Sequence, residues 1–252
     1  DGMPVTVRLL DPPLHEFLPS DPDVQAELAD AMGWEADEVA ESVEALKEFN
    51  PMLGHRGCRL GVTYPDIYKM QVRAIMEAAA NCRERGIDAK PEIMIPLVGT
   101  AEELRVCREA AEEVCSQVVE QSDVDVPYTI GTMIEIPRAC VRADDVAEHA
   151  EFFSFGTNDL TQMTFGFSRD DVGTFVPEYV EREILPQDPF QVLDQNGVGE
   201  MVKMGIERGR QTKDDLKVGI CGEHGGEPSS VKFCARAGMN YVSCSPFRVP
   251  VA

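Results

Sequence analysis

Short, mostly apolar runs alternate with amphipathic stretches of helical period along most of the chain. Such runs, bounded by turn residues, predict strands. We predict six strands: Val5–Leu10, Glu92–Val98, Thr129–Ile136, Phe152–Gly156, Lys217–Cys221 and Tyr241–Cys244. Residues 50–57 are a loop or a very short strand, with a possible seventh strand at residues 53–57. Helical patterns separate the strands, and Thr100 with Glu103 predicts a capping box at the start of one helix.

The regular alternation of strand and helix predicts an α/β fold with a parallel sheet. The length of 252 residues fits a single barrel of this kind. We predict a TIM-type (β/α)8 barrel that lacks its first strand and its last helix, as expected of a fragment, because the chain enters a strand within a few residues and stops just after the last one. An open doubly wound sheet is the alternative, but the spread of polar strand ends over the whole chain favours the barrel.

Two segments depart from this alternation. Residues 15–49 form an acidic helical excursion in which Lys47 is the only Lys or Arg. Asp21-Pro22 predicts the start of one helix there, and Val39 and Val43 share a face of a second. We expect a solvated cap without chemistry of its own. The polar, proline-rich connection from about 168 to 198 predicts a lid or a subunit contact.

Charge and cysteine content exclude several classes of function. The net charge of −22, from 45 acidic and 23 basic residues, argues against binding to nucleic acid or to an anionic membrane surface. No apolar run approaches the roughly 20 residues of a membrane span. The eight cysteines include no Cys-x-x-Cys pair, which favours reduced thiols in a reducing compartment. An anionic ligand would need a locally positive site.

Two carboxylates follow apolar strands directly. Glu135 ends the run Gly131-Thr132-Met133-Ile134, and Asp159 follows Gly156-Thr157-Asn158. In a parallel barrel these strand ends converge on the carboxyl-terminal face. Carboxylate oxygens on neighbouring strands suit Mg²⁺. The alternative is that the two carboxylates cap helices or pair with arginines.

Two arginines and one thiol are the remaining candidates for chemistry. Arg8 interrupts an apolar strand, and a buried arginine needs an anionic partner; this is either Glu135 or Asp11, or a carboxylate or phosphoryl group of a ligand. Arg56 lies in a glycine-flanked loop. Cys221 ends a strand and opens a glycine-rich turn, so it could protonate a carbanion or an enolate; otherwise it is one more buried thiol.

The chain resembles the carboxyl-terminal pyruvate/phosphoenolpyruvate-binding barrel of the pyruvate phosphate dikinase family. The segments that carry the resemblance are Val5–Leu18, Asn50–Gly57, Gly131–Ala139, Phe153–Gln162 and Cys221–Ser230. Phosphoenolpyruvate synthase and enzyme I of the sugar phosphotransferase system have similar motifs. The run Leu10-Asp11-Pro12-Pro13-Leu14-His15-Glu16 favours the dikinase family over both.

The resemblance implies that pyruvate, ATP and phosphate interconvert with phosphoenolpyruvate, AMP and pyrophosphate. A phosphohistidine on a separate domain of the same polypeptide, not present in this chain, would exchange its phosphoryl group with the enolate oxygen of pyruvate. A further arginine of the family would lie on the strand before Arg8. This chain alone is therefore not expected to catalyse the overall reaction. The family also implies a homodimer, in the cytoplasm or a plastid.

The resemblance assigns roles to particular residues. Glu135 and Asp159 would bind Mg²⁺, and Arg8 and Arg56 would hold the enolate oxygen and the transferring phosphoryl group. Cys221 would be the acid/base at the methyl carbon. The substrate carboxylate would be lined by Gly156, Thr157, Asn158 and Asp159, with Arg169 and Tyr241 as further contacts. The alternatives are phosphoenolpyruvate synthase, an enzyme I-like phosphotransfer protein, and an inactive barrel.

Overall fold

The computed structural model describes all 252 residues and contains one six-stranded parallel sheet. Each strand pairs with the next in sequence, so the order contains no reversal. A doubly wound sheet reverses its order at a switch point, and that alternative is therefore wrong. The strands are β1 (Pro4–Arg8), β2 (Lys90–Ile95), β3 (Thr129–Ile134), β4 (Phe152–Gly156), β5 (Lys217–Cys221) and β6 (Tyr241–Val242).

Eleven α-helices connect and flank the strands. Their bounds are α1 (Pro22–Met32), α2 (Ala36–Ala45), α3 (Cys58–Thr63), α4 (Pro65–Glu84), α5 (Ala101–Ser122), α6 (Pro137–Val141), α7 (Ala143–Ala147), α8 (Thr157–Phe165), α9 (Val176–Glu181), α10 (Val198–Thr212) and α11 (Pro228–Arg236). The predicted capping box is present at the start of α5, where the side chains of Thr100 and Glu103 each accept from the other's backbone amide. No helix is long and apolar enough to cross a membrane.

The sheet is curled, with side chains on its concave face meeting across several strands. Lys217 on β5 reaches Glu92 on β2, with 2.6 Å between Nζ and Oε1. These strands are three positions apart, and side chains perpendicular to a flat sheet would not meet over that distance. Thr6 on β1 donates to the other oxygen of Glu92 at 2.7 Å. The curl is compatible with part of a barrel.

The convex face of the sheet carries the main hydrophobic core. Side chains that alternate with the concave ones, such as Ile93, Ile134 and Phe155, are completely buried against the surrounding helices. Alternation with period two therefore separates a core face from a ligand face along the same strands. The longest helices, α4 and α5, pack against each other over this core.

Strand β1 differs from its prediction as a buried strand. Val5 and Val7 are exposed, at 62% and 36%, and the side chain of Arg8 is 42% exposed. The reason is that β1 lies at the edge of the sheet and pairs only with β2. An apolar composition therefore did not establish burial here.

Of the two alternatives for residues 53–57, the structure has the loop and not the short strand. The backbone amide of Leu53 donates to the carbonyl of Asn50, and that of Arg56 to the carbonyl of Gly54. Because these bonds are local, the segment forms turns rather than joining the sheet. It ends at Gly57, which directly precedes α3 and has a φ of 57°, a value that suits glycine.

The excursion contains the two expected helices and a small core of its own. Asp21 caps α1 by accepting from the amide of Asp23 at 2.8 Å. Ala29 packs with Val39 and Val43 from α2, apart from the main core. The acidic segment is therefore held together locally.

Candidate active site

A cavity of about 440 Å³ lies at the carboxyl ends of the strands. Nine of the ten residues to which the sequence and the resemblance assign roles line it: Arg8, Arg56, Glu135, Gly156, Thr157, Asn158, Asp159, Arg169 and Cys221. They come from the ends of β1, β3, β4 and β5, from the first turn of α8 and from the loops before α3 and after α8. Larger cavities of about 600, 530 and 490 Å³ lie elsewhere, but none of them is lined by a basic side chain, as binding of an anion would require.

Arg56 is buried and makes three contacts. Its Nε donates to the carbonyl of Met52 at 2.9 Å, Nη1 to Asp11 Oδ2 at 3.2 Å and Nη2 to Asp159 Oδ1 at 2.8 Å. A guanidinium has five N–H groups, so two remain for a ligand. Asp159 therefore does pair with an arginine, Arg56, but through Oδ1 only.

Asp11 also lines the cavity, although the sequence suggests it only as a structural partner of Arg8. That pair is present, with 3.3 Å between Arg8 Nη1 and Asp11 Oδ2. Asp11 is buried and binds Arg56 through the same oxygen, while its Oδ1 has no partner. The available signal was a carboxylate directly after a strand, as at Glu135. Asp11 therefore holds both arginines on one side of the cavity.

Arg8 is not the buried arginine that its strand suggested. Besides Asp11, its Nη1 approaches the sulfur of Met133 at 3.9 Å. A half-exposed guanidinium with one carboxylate partner keeps most of its donors free. Arg8 is therefore the more accessible of the two arginines.

Glu135 is completely enclosed at the end of β3. Its Oε1 accepts from the backbone amide of Leu97 at 2.7 Å. Its Oε2 lies beside Gly156, where a Cβ atom would come within 2.4 Å of it. Burial raises the pKa of Glu135 to about 8, and the negative charges of Asp11 and Asp159 add to the rise. The carboxyl therefore holds a proton at neutral pH unless a cation arrives.

Asp159 shares this strained electrostatic environment. Burial raises its pKa, although the positive charge of Arg56 opposes the rise. Three carboxyl groups thus crowd a small volume with two guanidinium groups. No group of three or more His, Cys, Asp or Glu side chains is preassembled as a metal site. One oxygen of Glu135 and one of Asp159 remain without a protein donor, which suits a cation that takes its other ligands from water or substrate.

The start of α8 forms another wall of the cavity. Thr157 is buried and turns its hydroxyl away towards His224, with 2.7 Å between Oγ1 and Nδ1. Asn158 has a buried Oδ1 without a partner. Its amide lies against Gly222, whose φ of 93° requires glycine and whose missing Cβ leaves room for it. The first turn of α8 therefore presents backbone amides and one side-chain amide at this end of the cavity.

Cys221 lies opposite the arginines, at the end of β5. Its Sγ is 3.6 Å from the carbonyl oxygen of Phe155. Burial raises the pKa of Cys221 to about 11, and the negative charge of Glu135 contributes. The resting thiol is therefore in the protonated form that donates a proton, and it must ionise before it can accept one.

The two further contacts suggested by the resemblance differ in position. Arg169 lines the cavity and pairs with Glu223 at 3.2 Å across its mouth. Tyr241 does not line the cavity; it lies deeper in the sheet, with its ring against Gly219 and with burial raising its pKa to about 12. Only Arg169 is therefore accessible to a ligand in the cavity.

Comparison with known proteins identifies the relatives of this chain. Residues 1–252 match the family described as PEP-utilising enzyme, PEP-binding domain. Over its whole length the chain is 62% identical to pyruvate, phosphate dikinase of Clostridium symbiosum and 59% identical to the chloroplastic pyruvate, phosphate dikinase 1 of Arabidopsis thaliana. It is 56% identical to pyruvate, phosphate dikinase of Rhizobium meliloti (strain 1021). The chain spans 29%, 26% and 28% of the lengths of these three relatives.

Proposed function

This chain belongs to the PEP-binding domain family of PEP-utilising enzymes, and we propose that it is the pyruvate/phosphoenolpyruvate-binding domain of a pyruvate, phosphate dikinase. The complete enzyme would interconvert pyruvate, ATP and phosphate with phosphoenolpyruvate, AMP and pyrophosphate. The observation that carries the proposal is one cavity in which arginines, carboxylates, a helix start and a protonated thiol surround about 440 Å³. That volume suits a three-carbon acid with its phosphoryl group.

We further propose that residues 1–252 form part of a (β/α)8 barrel that lacks its first strand and last helix, with residues 15–49 as an insertion. The sequential order of six parallel strands supports this, because barrels have no switch point. The exposed edge at β1 is where another strand would pair.

Arg8 and Arg56 would bind the oxygen that becomes the enolate and the phosphoryl group in transfer. Both arginines line the cavity, and each forms an ion pair with Asp11. Positive charge placed beforehand stabilises the negative charge that develops in the transition state. A phosphohistidine on another domain of the same polypeptide would give up or receive the phosphoryl group.

Glu135 and Asp159 would hold Mg²⁺ through their unpaired oxygens. The residues fit such an ion, because burial raises the pKa of both carboxyl groups, the negative charge of Asp11 adds to the rise in each, and a cation would relieve that repulsion. When bound, Mg²⁺ would supply Lewis-acid stabilisation of negative charge on the substrate oxygens. Binding would require Glu135 to lose its proton.

The substrate carboxylate would lie against Gly156, Thr157, Asn158 and Asp159. The first turn of α8 offers unpaired backbone amides and the positive end of a helix dipole. Thr157 would act through its backbone, since its hydroxyl is engaged by His224. Asn158 would add its side-chain amide.

Cys221 would transfer the proton at the methyl carbon. In the direction of pyruvate, the phosphoryl group leaves the enolate oxygen for the phosphohistidine position, and the thiol proton passes to the methylene carbon. The resulting thiolate is reprotonated by solvent. The high pKa of Cys221 keeps the thiol in the donor form before this step.

The assembly and compartment are proposals of the same kind. We propose a homodimer, in the cytoplasm or in a plastid. One relative comes from the bacterium Clostridium symbiosum, and the Arabidopsis thaliana relative is named as chloroplastic. All eight cysteines are free, which suits a reducing compartment.

Calorimetric titration of the complete polypeptide with oxalate, with and without Mg²⁺, tests the proposal. Oxalate mimics the enolate of pyruvate, so a site built for that intermediate should bind it only with Mg²⁺. Glu135→Gln should lose this binding, whereas Glu120→Gln on the exposed face of α5 should keep it. A folded wild-type polypeptide that does not bind oxalate with Mg²⁺ contradicts the proposal.

A further inference from the structure

The ring of His224 is completely buried beside the cavity without lining it. It lies in the 3-10 turn Glu223–Gly226, three residues after Cys221. Its Nδ1 is 2.7 Å from Thr157 Oγ1, and its Nε2 is 3.0 Å from the carbonyl oxygen of Pro189. One side chain therefore bridges the turn after β5, the start of α8 and the long connection before α10.

The partners determine how this ring is protonated. A carbonyl oxygen only accepts, so Nε2 must carry the hydrogen that it donates to Pro189. Burial lowers the pKa of His224, which keeps the ring neutral. Nδ1 is then an acceptor, and the hydroxyl of Thr157 donates to it. The rotamer of Thr157 is thereby fixed, with its hydroxyl turned away from the cavity.

The bridge lies just beyond the last backbone pairing between β4 and β5, so the start of α8 and the turn after β5 are not held together by the sheet. The β4–β5 ladder ends at the pair Gly156 and Cys221, directly before Thr157 and Gly222. Beyond that pair, the hydrogen bond to His224 links Thr157 to the other segment. The Thr157 hydroxyl also lies 3.4 Å from the backbone oxygen of Cys221, but its single hydrogen is given to His224, which is closer. Glycine at position 222 adds no side chain that could hold the turn in place.

We propose that His224 is a positioning residue that acts through Thr157 to hold the start of α8 at a set distance from Cys221. The inference rests on the proposed function, because it concerns the wall that would bind the substrate carboxylate and the thiol that would transfer the proton. Asn158 and Asp159 follow Thr157 directly, so a shift of Thr157 moves both of them relative to Cys221. His224 would thus affect ligand binding without touching the ligand.

Variants at positions 224 and 157 of the complete polypeptide test this inference. His224→Leu fills the space but leaves the Pro189 carbonyl unpaired and leaves the Thr157 hydroxyl with only its long contact, 3.4 Å, to the carbonyl of Cys221. We expect it to weaken Mg²⁺-dependent oxalate binding by about tenfold or more and to raise KM for phosphoenolpyruvate, since the bridge is lost and a buried polar group is left without its partner. His224→Gln offers a donor and an acceptor at similar spacing, so we expect it to restore oxalate affinity to within about threefold of the wild type.

A double-mutant cycle identifies the route of the effect. If His224 acts through Thr157, Thr157→Val should weaken oxalate binding by a similar factor, and adding His224→Leu should weaken it further by less than about threefold. The matched control is His149→Gln at the opposite end of the sheet, which should leave affinity unchanged. Thermal melting of each variant separates lost binding from lost folding.

The outcomes distinguish this inference from the proposed function. Wild-type polypeptide that does not bind oxalate overturns the proposed function, and the inference with it. Normal wild-type binding together with unchanged affinity in His224→Leu overturns the positioning role alone. Independent, multiplying effects of the two substitutions overturn the route through Thr157. If His224→Leu does not fold, Thr157→Val is the deciding variant. An oxalate affinity of Thr157→Val within about threefold of the wild-type value then overturns the inference.

Discussion

At the scale of single residues, the cavity combines arginines with carboxyl groups that are only partly paired with them. Asp11 neutralises part of the charge of Arg8 and Arg56, while Glu135 and Asp159 each keep one oxygen unpaired. A buried carboxylate without a full set of partners is costly in its charged form. Burial therefore favours the protonated form of Glu135, and a cation could take the place of that proton.

The pH dependence of stability follows from Glu135. Its folded pKa of about 8 lies above its ordinary value of 4.5, so the folded state binds more protons between these values. Stability from this group is complete below about pH 4.5 and is lost as the pH rises towards 8, by at most about 1.4 kcal/mol per pH unit. In denaturant titrations without Mg²⁺, the free energy of unfolding of the wild type should therefore fall relative to that of Glu135→Gln as the pH rises from 5 to 8. A difference that is constant from pH 5 to 8 contradicts this prediction.

Gly156 is expected to be required for the shape of the site. A Cβ there would come within 2.4 Å of Glu135 Oε2 and 2.7 Å of the sulfur of Met133. Gly156→Ala should displace Glu135, lower Mg²⁺-dependent oxalate affinity by about tenfold or more, and cost about 1–3 kcal/mol of stability. Gly173→Ala, with nothing within 4 Å of its Cβ, should change neither quantity. Equal oxalate affinity in the two variants would rule out this role.

At the scale of elements, the strands that carry the site and the helices of the excursion differ in how they are supported. The strands pack on the large core, whereas α1 and α2 depend on the small core around Ala29, Val39 and Val43. Regions with few buried apolar contacts open at lower free energy than the rest of a protein. The excursion should therefore open independently of the cavity.

Val39→Ala tests this independence. Removing two buried methyl groups should destabilise α1 and α2 by roughly 1–3 kcal/mol while leaving oxalate affinity unchanged. Amide hydrogen exchange should speed up in α1 and α2 only. Val114→Ala, in the main core on α5, should instead speed exchange throughout the sheet. A loss of oxalate binding in Val39→Ala would mean that the excursion supports the site.

At the scale of the whole molecule, the curled sheet gathers residues that are distant in sequence. The interior pair of Lys217 and Glu92 spans 125 residues of sequence, and that of Arg56 and Asp159 spans 103. The proposed reaction also needs domains outside these 252 residues. The role of Cys221 is therefore best measured in the complete polypeptide.

Cys221→Ala should abolish phosphoenolpyruvate formation in that polypeptide. The partial reactions at the nucleotide site should continue, because the substitution removes only the group that moves the proton at the methyl carbon. Cys234→Ala removes another buried thiol, on α11 and outside the cavity, and should leave phosphoenolpyruvate formation unchanged. Radiolabelled phosphoryl transfer measured in both directions distinguishes these reactions. Retained phosphoenolpyruvate synthesis in Cys221→Ala contradicts the assigned role.

Local rules in the sequence determined the six strands, the helix starts at Asp21 and Thr100 and the polar residues at the strand ends. Side-chain alternation and capping act over a few residues, so they can be read without the fold. The same rules place Glu135, Asp159 and Cys221 at one end of a parallel sheet.

Only the tertiary structure decided which of these side chains meet and which are buried. Arg8 proved half exposed because β1 is an edge strand, and residues 53–57 form turns because their amides bond locally. The placement of Asp11 between two arginines and of His224 between Thr157 and Pro189 depends on contacts across many residues of chain. Local periodicity carries no information about such contacts, since the curl of the whole sheet creates them.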